Sequence, residues 1–232
     1  MPSDIFVIVT AYNEAARIGA TLDALAAAFP GAPVWVADDG STDATPLLAS
    51  ESGARVVRSE RMIGKGGAAT SAAREALQEA RAATGEQQQG SVFVLCDADL
   101  GDSALELVAL ADAVRRGDTD IAVAAFATRV GGGVGLAVAF ARWAIRRRCG
   151  LLLCAPISGQ RALCASVLTD VLPFAAGFGM EIGMSIDAAR AGHRIAEIEL
   201  HLSHRATGRT LTGFAHRGRQ LIDFVRVYFA RR

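Results

Sequence analysis

Lysine is nearly missing from this chain of 232 residues: of its 24 basic residues only Lys65 is a lysine. Net charge is missing too, because 24 Lys and Arg are matched by 24 Asp and Glu. So balanced a chain lacks the footprint of a general nucleic-acid binder, and no nucleic-acid partner is expected. Cysteines are few: Cys96, Cys149, Cys154 and Cys164, with no CxxC pair. That spacing argues against a zinc site or a disulfide frame and predicts reduced, buried thiols. No basic segment followed by an apolar one opens the chain, which predicts a cytoplasmic protein. Long apolar runs are also lacking. Arg129, Arg142 and the glycines at 131–133 and 135 interrupt residues 121–145, leaving pieces shorter than the roughly 20 residues of a spanning helix. There is no HExxH motif, no Ser/His/Asp order, no internal repeat and no linker, so 1–232 is expected to be one domain.

What is present suffices for a large core, since 51% of the residues are hydrophobic. Apolar runs of strand length alternate with helical patterns. Strands are predicted at Ile5–Val9, Val34–Ala37, Ala54–Arg58, Val92–Cys96 and Asp120–Ala125. Between them, helices are predicted at Ala15–Ala28, Asp43–Ser52 (with Ser41, Thr42 or Asp43 as its cap), Ala68–Ala83 and Ser103–Arg115. This alternation predicts an α/β fold with a Rossmann-like, mostly parallel sheet flanked by helices. The second half is less regular. A helix is expected at 136–148, then a loop at Ala155–Arg161 followed by a helix to Leu172, a helix at Met180–Ala191, a strand at Arg194–Leu202 and a basic amphipathic helix at Thr212–Ala230. From His201 to Arg232, seven arginines face a single acid, Asp223.

In a parallel sheet, ligands bind beyond the carboxyl ends of the strands. Polar residues gather at those positions: Thr10-Ala11-Tyr12-Asn13-Glu14, Asp38-Asp39-Gly40-Ser41 and Asp97-Ala98-Asp99. Residues i and i+2 of a strand share a face, so Asp97 and Asp99 can converge on one divalent cation. The bland alternative is a solvated turn with helix-capping acids, but its place after an apolar strand favours the metal. Asp39 is the acid expected to accept hydrogen bonds from a nucleobase or ribose. Lys65, in Gly64-Lys65-Gly66-Gly67 just before a helix, offers a compact ammonium where small residues let the backbone approach a phosphate. Its alternative is a solvated loop lysine. Glu181 is an acid among apolar and glycine neighbours at a helix start, suited to a ligand or to the helix dipole. His204 is a third metal ligand, a phosphate contact or a structural histidine.

Taken in order, Val7–Glu14, Asp38–Asp43, Gly64-Lys65-Gly66 and Asp97-Ala98-Asp99 resemble the family 2 nucleotide-sugar glycosyltransferases. The resemblance implies a GT-A fold with Mg2+ or Mn2+ at the DxD motif. It divides the chain into a nucleotide-sugar and metal half, 1–125, and an acceptor half, 126–232. Pro156–Gln160, Leu172–Ala175, Gly177–Gly183 and His204-Arg205 are similar to the glucosyl-3-phosphoglycerate synthases within that group. By that resemblance Thr10, Ala11, Tyr12, Glu14, Asp39 and Ala98 line the donor, Ala11 and Glu14 hold its nucleoside, and Lys65 holds its diphosphate. Glu181 meets the donor sugar, while His204 joins Asp99 and Asp97 on the metal. Asp99 and Glu181 are the expected catalytic pair. One departure is visible: Val134 follows Gly133 where that group carries an arginine.

The expected donor is a UDP-sugar, with a GDP-sugar as the alternative. The expected acceptor is a small phosphorylated or carboxylated molecule, recognised by Gly131–Gly135, Gly159, Arg161, Arg205 and Arg209. A polyprenyl phosphate is the rival acceptor. It is suggested by Trp143 with Arg146-Arg147-Arg148 and by Phe224, Tyr228 and Phe229 in the basic C-terminus, which would place the enzyme at the inner membrane face. A homodimer is compatible with either reading.

Overall fold

A computed structural model of the chain describes residues 4–84, 90–126, 136–202 and 223–231. The apolar runs fold as strands β1 (Ile5–Ala11), β2 (Val34–Asp38), β3 (Arg55–Arg58), β4 (Val92–Asp97), β5 (Ile121–Phe126), β6 (Arg161–Cys164) and β7 (Ile195–Leu200). They form one sheet in the order β3-β2-β1-β4-β6-β5-β7. All pairings are parallel except those of β6, which runs antiparallel to both β4 and β5. Strands of the second half therefore complete the sheet begun by the first.

The central strands are apolar on both faces because helices cover both. In β1, Ile5, Val7 and Val9 join one core layer while Phe6 and Ile8 join the other, as the two-residue alternation of a strand requires. The first layer packs beneath α1 (Ile18–Ala28), with α2 (Thr45–Glu51) at its edge; α3 (Lys65–Thr84) lies on the second layer. A stripe of alanines on α3 (Ala69, Ala72, Ala73, Ala76 and Ala80) is fully buried, and its short side chains let the helix lie close on the sheet. The first layer is completed by a 3-10 turn at Gly101–Leu107 and α4 (Val108–Arg115). A third apolar cluster joins α5 (Leu136–Cys149) to later helices, while α6 (Ala165–Val171) and α7 (Met180–Arg190) close the second layer. Residues 223–230 form helix α8, whose Phe224 and Val227 belong to the third cluster.

Several boundaries differ from expectation, each for a local reason. Helix α1 begins at Ile18 rather than Ala15 because residues 12–17 form a turn in which Asn13 adopts φ 55°. Helix α2 is preceded by Ala44. Asp43 does accept the Thr45 N–H at 3.0 Å, but Ser41 and Thr42 bond instead to Asn13. Lys65 is the first residue of α3, not part of the loop before it. The segment from 161 opens as strand β6 before becoming helical. All four cysteines are unpaired, as expected, yet only Cys96 is buried. Cys154 is exposed, in a loop whose backbone amides turn inward to Glu197. No helix among the described residues is long and apolar enough to cross a membrane. Gly131–Gly135, His204, Arg205, Arg209 and His216 lie outside the described residues.

Candidate active site

The sheet register brings three strand ends together: Ala11 pairs with Asp38, and Thr10 with Asp97. Backbone bonds continue past the ends. Ala11 O accepts from Asp39 N at 3.0 Å, and Thr10 O accepts from Ala98 N at 3.0 Å. The fully buried Asp38 accepts from Ser41 N, and its Oδ2 lies 3.2 Å from Arg58 Nε. Asp39 turns its carboxylate onto the backbone of the next segment, accepting from Ile63 N at 2.7 Å and Gly64 N at 2.9 Å. Burial pushes the Asp39 carboxyl above its ordinary pKa even against these two bonds, and the neighbouring Asp38 charge adds to the rise. Asp39 thus pins the two residues that precede Lys65.

Lys65 Nζ lies 2.6 Å from Asp97 Oδ1 and 2.8 Å from Glu181 Oε1. The same Asp97 accepts from Thr10 Oγ1 at 2.9 Å and from Gln160 Nε2 at 2.8 Å. Burial works against the Lys65 charge, but the two carboxylates outweigh it and hold the ammonium above the ordinary lysine pKa. Burial likewise disfavours the Asp97 charge. The Lys65 ammonium and the three hydrogen bonds prevail, keeping its carboxyl below the usual range.

The glycines around Lys65 have a packing role. Gly64, at φ +93°, would place a Cβ 3.1 Å from Gly177 Cα, and a Cβ on Gly66 would overlap the Ala175 carbonyl. This close fit sets the start of α3 against the segment leading into α7, which carries Glu181 in its first turn. Gly159 completes the enclosure: a Cβ there would sit 2.6 Å from Lys65 Nζ and 2.8 Å from Asp97 Oδ2.

Arg161, expected to help recognise the acceptor, is only 1% exposed. Its guanidinium donates to Ser158 O, Ser185 Oγ and Pro156 O at 2.9, 2.9 and 3.2 Å. Burial brings its pKa down to about 10, and the charges of Glu181 and Glu197 partly offset that. The roles of Gln160 and Arg161 escaped sequence reasoning. The available signal was a Ser-Gly-Gln-Arg run in a segment already marked by Pro156.

Tyr12 and Glu14 lie in the turn after β1, and Asp99 in the turn after β4. The Tyr12 side chain is exposed, and Glu14 uses its backbone, donating to Thr45 Oγ1 and receiving Arg17 and Ile18 at the start of α1. The strand ends at Asp97, so Asp99 stands half-buried in the following turn and strand alternation does not govern its direction. Among the described residues, no three His, Cys, Asp or Glu side chains are grouped to hold a metal. The donor chemistry nonetheless suits a hard cation. Asp97 and Glu181 set two carboxylates against one ammonium, Asp99 follows Asp97 by two residues, and hard oxygen donors are what Mg2+ and Mn2+ prefer.

Parallel strands that end around a lysine at a helix N-terminus and a set of carboxylates define a phosphate-handling α/β enzyme. The family model "Glycosyl transferase family 2" matches residues 6–139. The glucosyl-3-phosphoglycerate synthase of Mycobacterium tuberculosis is 32% identical over 246 aligned residues, covering 94% of this chain and 71% of that protein. A crystal structure of the synthase from that organism with Mn2+, UDP-glucose and phosphoglyceric acid has a TM-score of 0.68 at 31% identity. It is matched over 97% of this chain and 79% of the other. Another, with Mg2+ and UDP, also gives 0.68 at 31% identity, over 97% and 78% of the two chains. The chain belongs to glycosyl transferase family 2 and is a nucleotide-sugar glycosyltransferase of GT-A fold.

Proposed function

We propose that the chain, acting as a single domain, transfers glucose from UDP-glucose to a small phosphorylated acid such as phosphoglycerate, with Mn2+ or Mg2+. The observation that carries this reading is the Lys65 ammonium held between Asp97 and Glu181 at the strand ends. One ammonium leaves that cluster net negative, so an anionic diphosphate can dock only if positive charge is added. Asp99 is assigned the direct metal contact as the second acid of the DxD motif; Asp97 and His204 complete the proposed set. A cation bound there neutralises charge on the diphosphate leaving group.

Lys65, at the positive end of α3, grips the diphosphate as a point charge. Thr10, Ala11, Tyr12, Glu14, Asp39 and Ala98 line the nucleotide, and Glu181 faces the sugar from α7. In the transfer, the bond from the anomeric carbon to the diphosphate oxygen breaks. The bond to the acceptor oxygen forms, UDP departs, and the acceptor's hydroxyl proton passes to the departing phosphate oxygen or to water. The relatives crystallised with Mn2+, UDP-glucose and phosphoglyceric acid support this assignment.

The test is a panel of UDP- and GDP-sugars with Mn2+ and 3-phosphoglycerate, scoring nucleoside diphosphate released. UDP release from UDP-glucose that rises with 3-phosphoglycerate and stops with chelator is expected. No diphosphate release from any donor contradicts the reading. One observation favours a polyprenyl phosphate acceptor instead: Trp143 and Phe229, each about half exposed, both pack on Tyr228, and the exposed Arg146 and Arg147 follow Trp143 on α5. Salt-sensitive binding to anionic liposomes, with sugar transfer to a polyprenyl phosphate, would select that alternative.

A further inference from the structure

The cluster that faces the donor depends on parts carried by distant segments. Asp97 ends β4, Gly159 and Gln160 lie in the loop before β6, and Glu181 sits in the first turn of α7. Along the chain the loop and α7 are separated by β6 and α6, so a direct tie between them must come from side chains. One group does so from behind. Arg161, buried at the start of β6, uses Nε and Nη2 on the carbonyls of Ser158 and Pro156, and Nη1 on Ser185 Oγ. Ser185 in turn donates to the Glu181 carbonyl at 2.9 Å. On the other side of the same loop, Glu197 accepts from the Cys154 and Ala155 amides at 2.7 and 2.6 Å. The loop is held by a carboxylate on its N–H groups and a guanidinium on its carbonyls, leaving Gly159 and Gln160 between them facing Lys65 and Asp97.

We propose that Arg161 is the positioning residue of this active site: its fork ties the 156–160 loop to α7 and so fixes Glu181 opposite Asp97 across Lys65. The planar guanidinium is required. It directs donors to three acceptors in fixed directions, which a lysine ammonium at the same place cannot do. Arg161 does not touch the donor. Its loss acts through the separation of Glu181 from Gly159 and Gln160, while the nucleoside-facing turns after β1 and β2 stay as they are.

This inference rests on the transferase reading above, and its test is built to fail separately from it. Arg161→Lys keeps the charge, and Ser185→Ala, a near-isosteric change on α7, keeps the fold if Arg161→Lys does not. In each variant UDP affinity with Mn2+, turnover, melting temperature and hydrogen exchange of the 157–160 amides are measured. A misplaced reacting group costs on the order of a hundredfold in rate, so turnover of Arg161→Lys is expected to fall about that far. Loss of one hydrogen bond to a charged group predicts about a tenfold fall for Ser185→Ala. Both should bind UDP within about twofold of wild type, and amides 157–160 should exchange faster. The double variant should be no worse than Arg161→Lys alone, because both act through one link. Unchanged turnover, additive losses, or UDP affinity falling in step with turnover would each overturn the proposal. If the wild type releases no UDP, the transferase reading fails on its own, and the exchange of 157–160 still decides whether Arg161 holds the loop.

Discussion

Lys65 lies 2.6 Å from Asp97 and 2.8 Å from Glu181, so Lys65→Met removes one cation and leaves two carboxylates facing each other. If the ammonium grips the donor diphosphate, UDP binding measured by calorimetry should weaken by about 1.5–3 kcal/mol. An unchanged dissociation constant would make Lys65 a counter-ion and nothing more. The same variant tests the electrostatics. Asp97 has a depressed pKa, so its contribution to stability is complete above the ordinary aspartate value of about 3.9 and is lost as the pH falls through its folded value. Without Lys65, burial of Asp97 dominates, its pKa rises and the sign reverses. Melting temperatures between about pH 6 and 3 should fall for the wild type and fall less, or rise, for Lys65→Met; parallel curves would contradict this. Lys65 was legible because the composition writes every other cation as arginine. The backbone partners of Asp39 were not: an acid at a strand end reads the same whether or not it also accepts from the amides of Ile63 and Gly64.

The start of α3 shows what a short glycine pattern can hide. Gly64 and Gly66 read as room for a phosphate, yet their Cα atoms face the backbone at 175–177. They let Lys65 and Glu181 meet. Gly66→Ala would force α3 off the Ala175 carbonyl, and overpacking of that kind costs about 1–3 kcal/mol. A melting temperature lower by several degrees with reduced turnover is the expected result, and a variant indistinguishable from wild type would contradict the packing account. Strands β1, β2 and β4 were legible because each is an apolar run that gives way to a polar residue at Thr10, Asp38 or Asp97. Strand β6 was not. It has four residues, opens with the buried Arg161 and is too short for any periodicity, so only its neighbours β4 and β5 reveal it.

Across the molecule, alternation of strands and helices was enough to predict a mostly parallel sheet, which the structure has, and the Lys65, Asp97 and Glu181 cluster lies where its strands end. The antiparallel β6 between β4 and β5 was beyond that reasoning, because sheet order depends on long-range pairing rather than local pattern. It has a functional consequence: a strand running the other way starts at the active-site edge, which places Gln160 against Asp97 and Arg161 behind Glu181. Most residues expected to recognise the acceptor fall at 127–135 and 203–222, outside the described residues, so the donor side carries the central claim, the proposal that Asp99 and Lys65 together hold a metal-bound diphosphate. Titration of UDP into wild type and Asp99→Ala, with Mn2+ and with chelator, tests it most directly. The account predicts Mn2+-dependent binding in the wild type, and weak, Mn2+-independent binding in a folded Asp99→Ala. Equal, Mn2+-dependent binding in both proteins would contradict it.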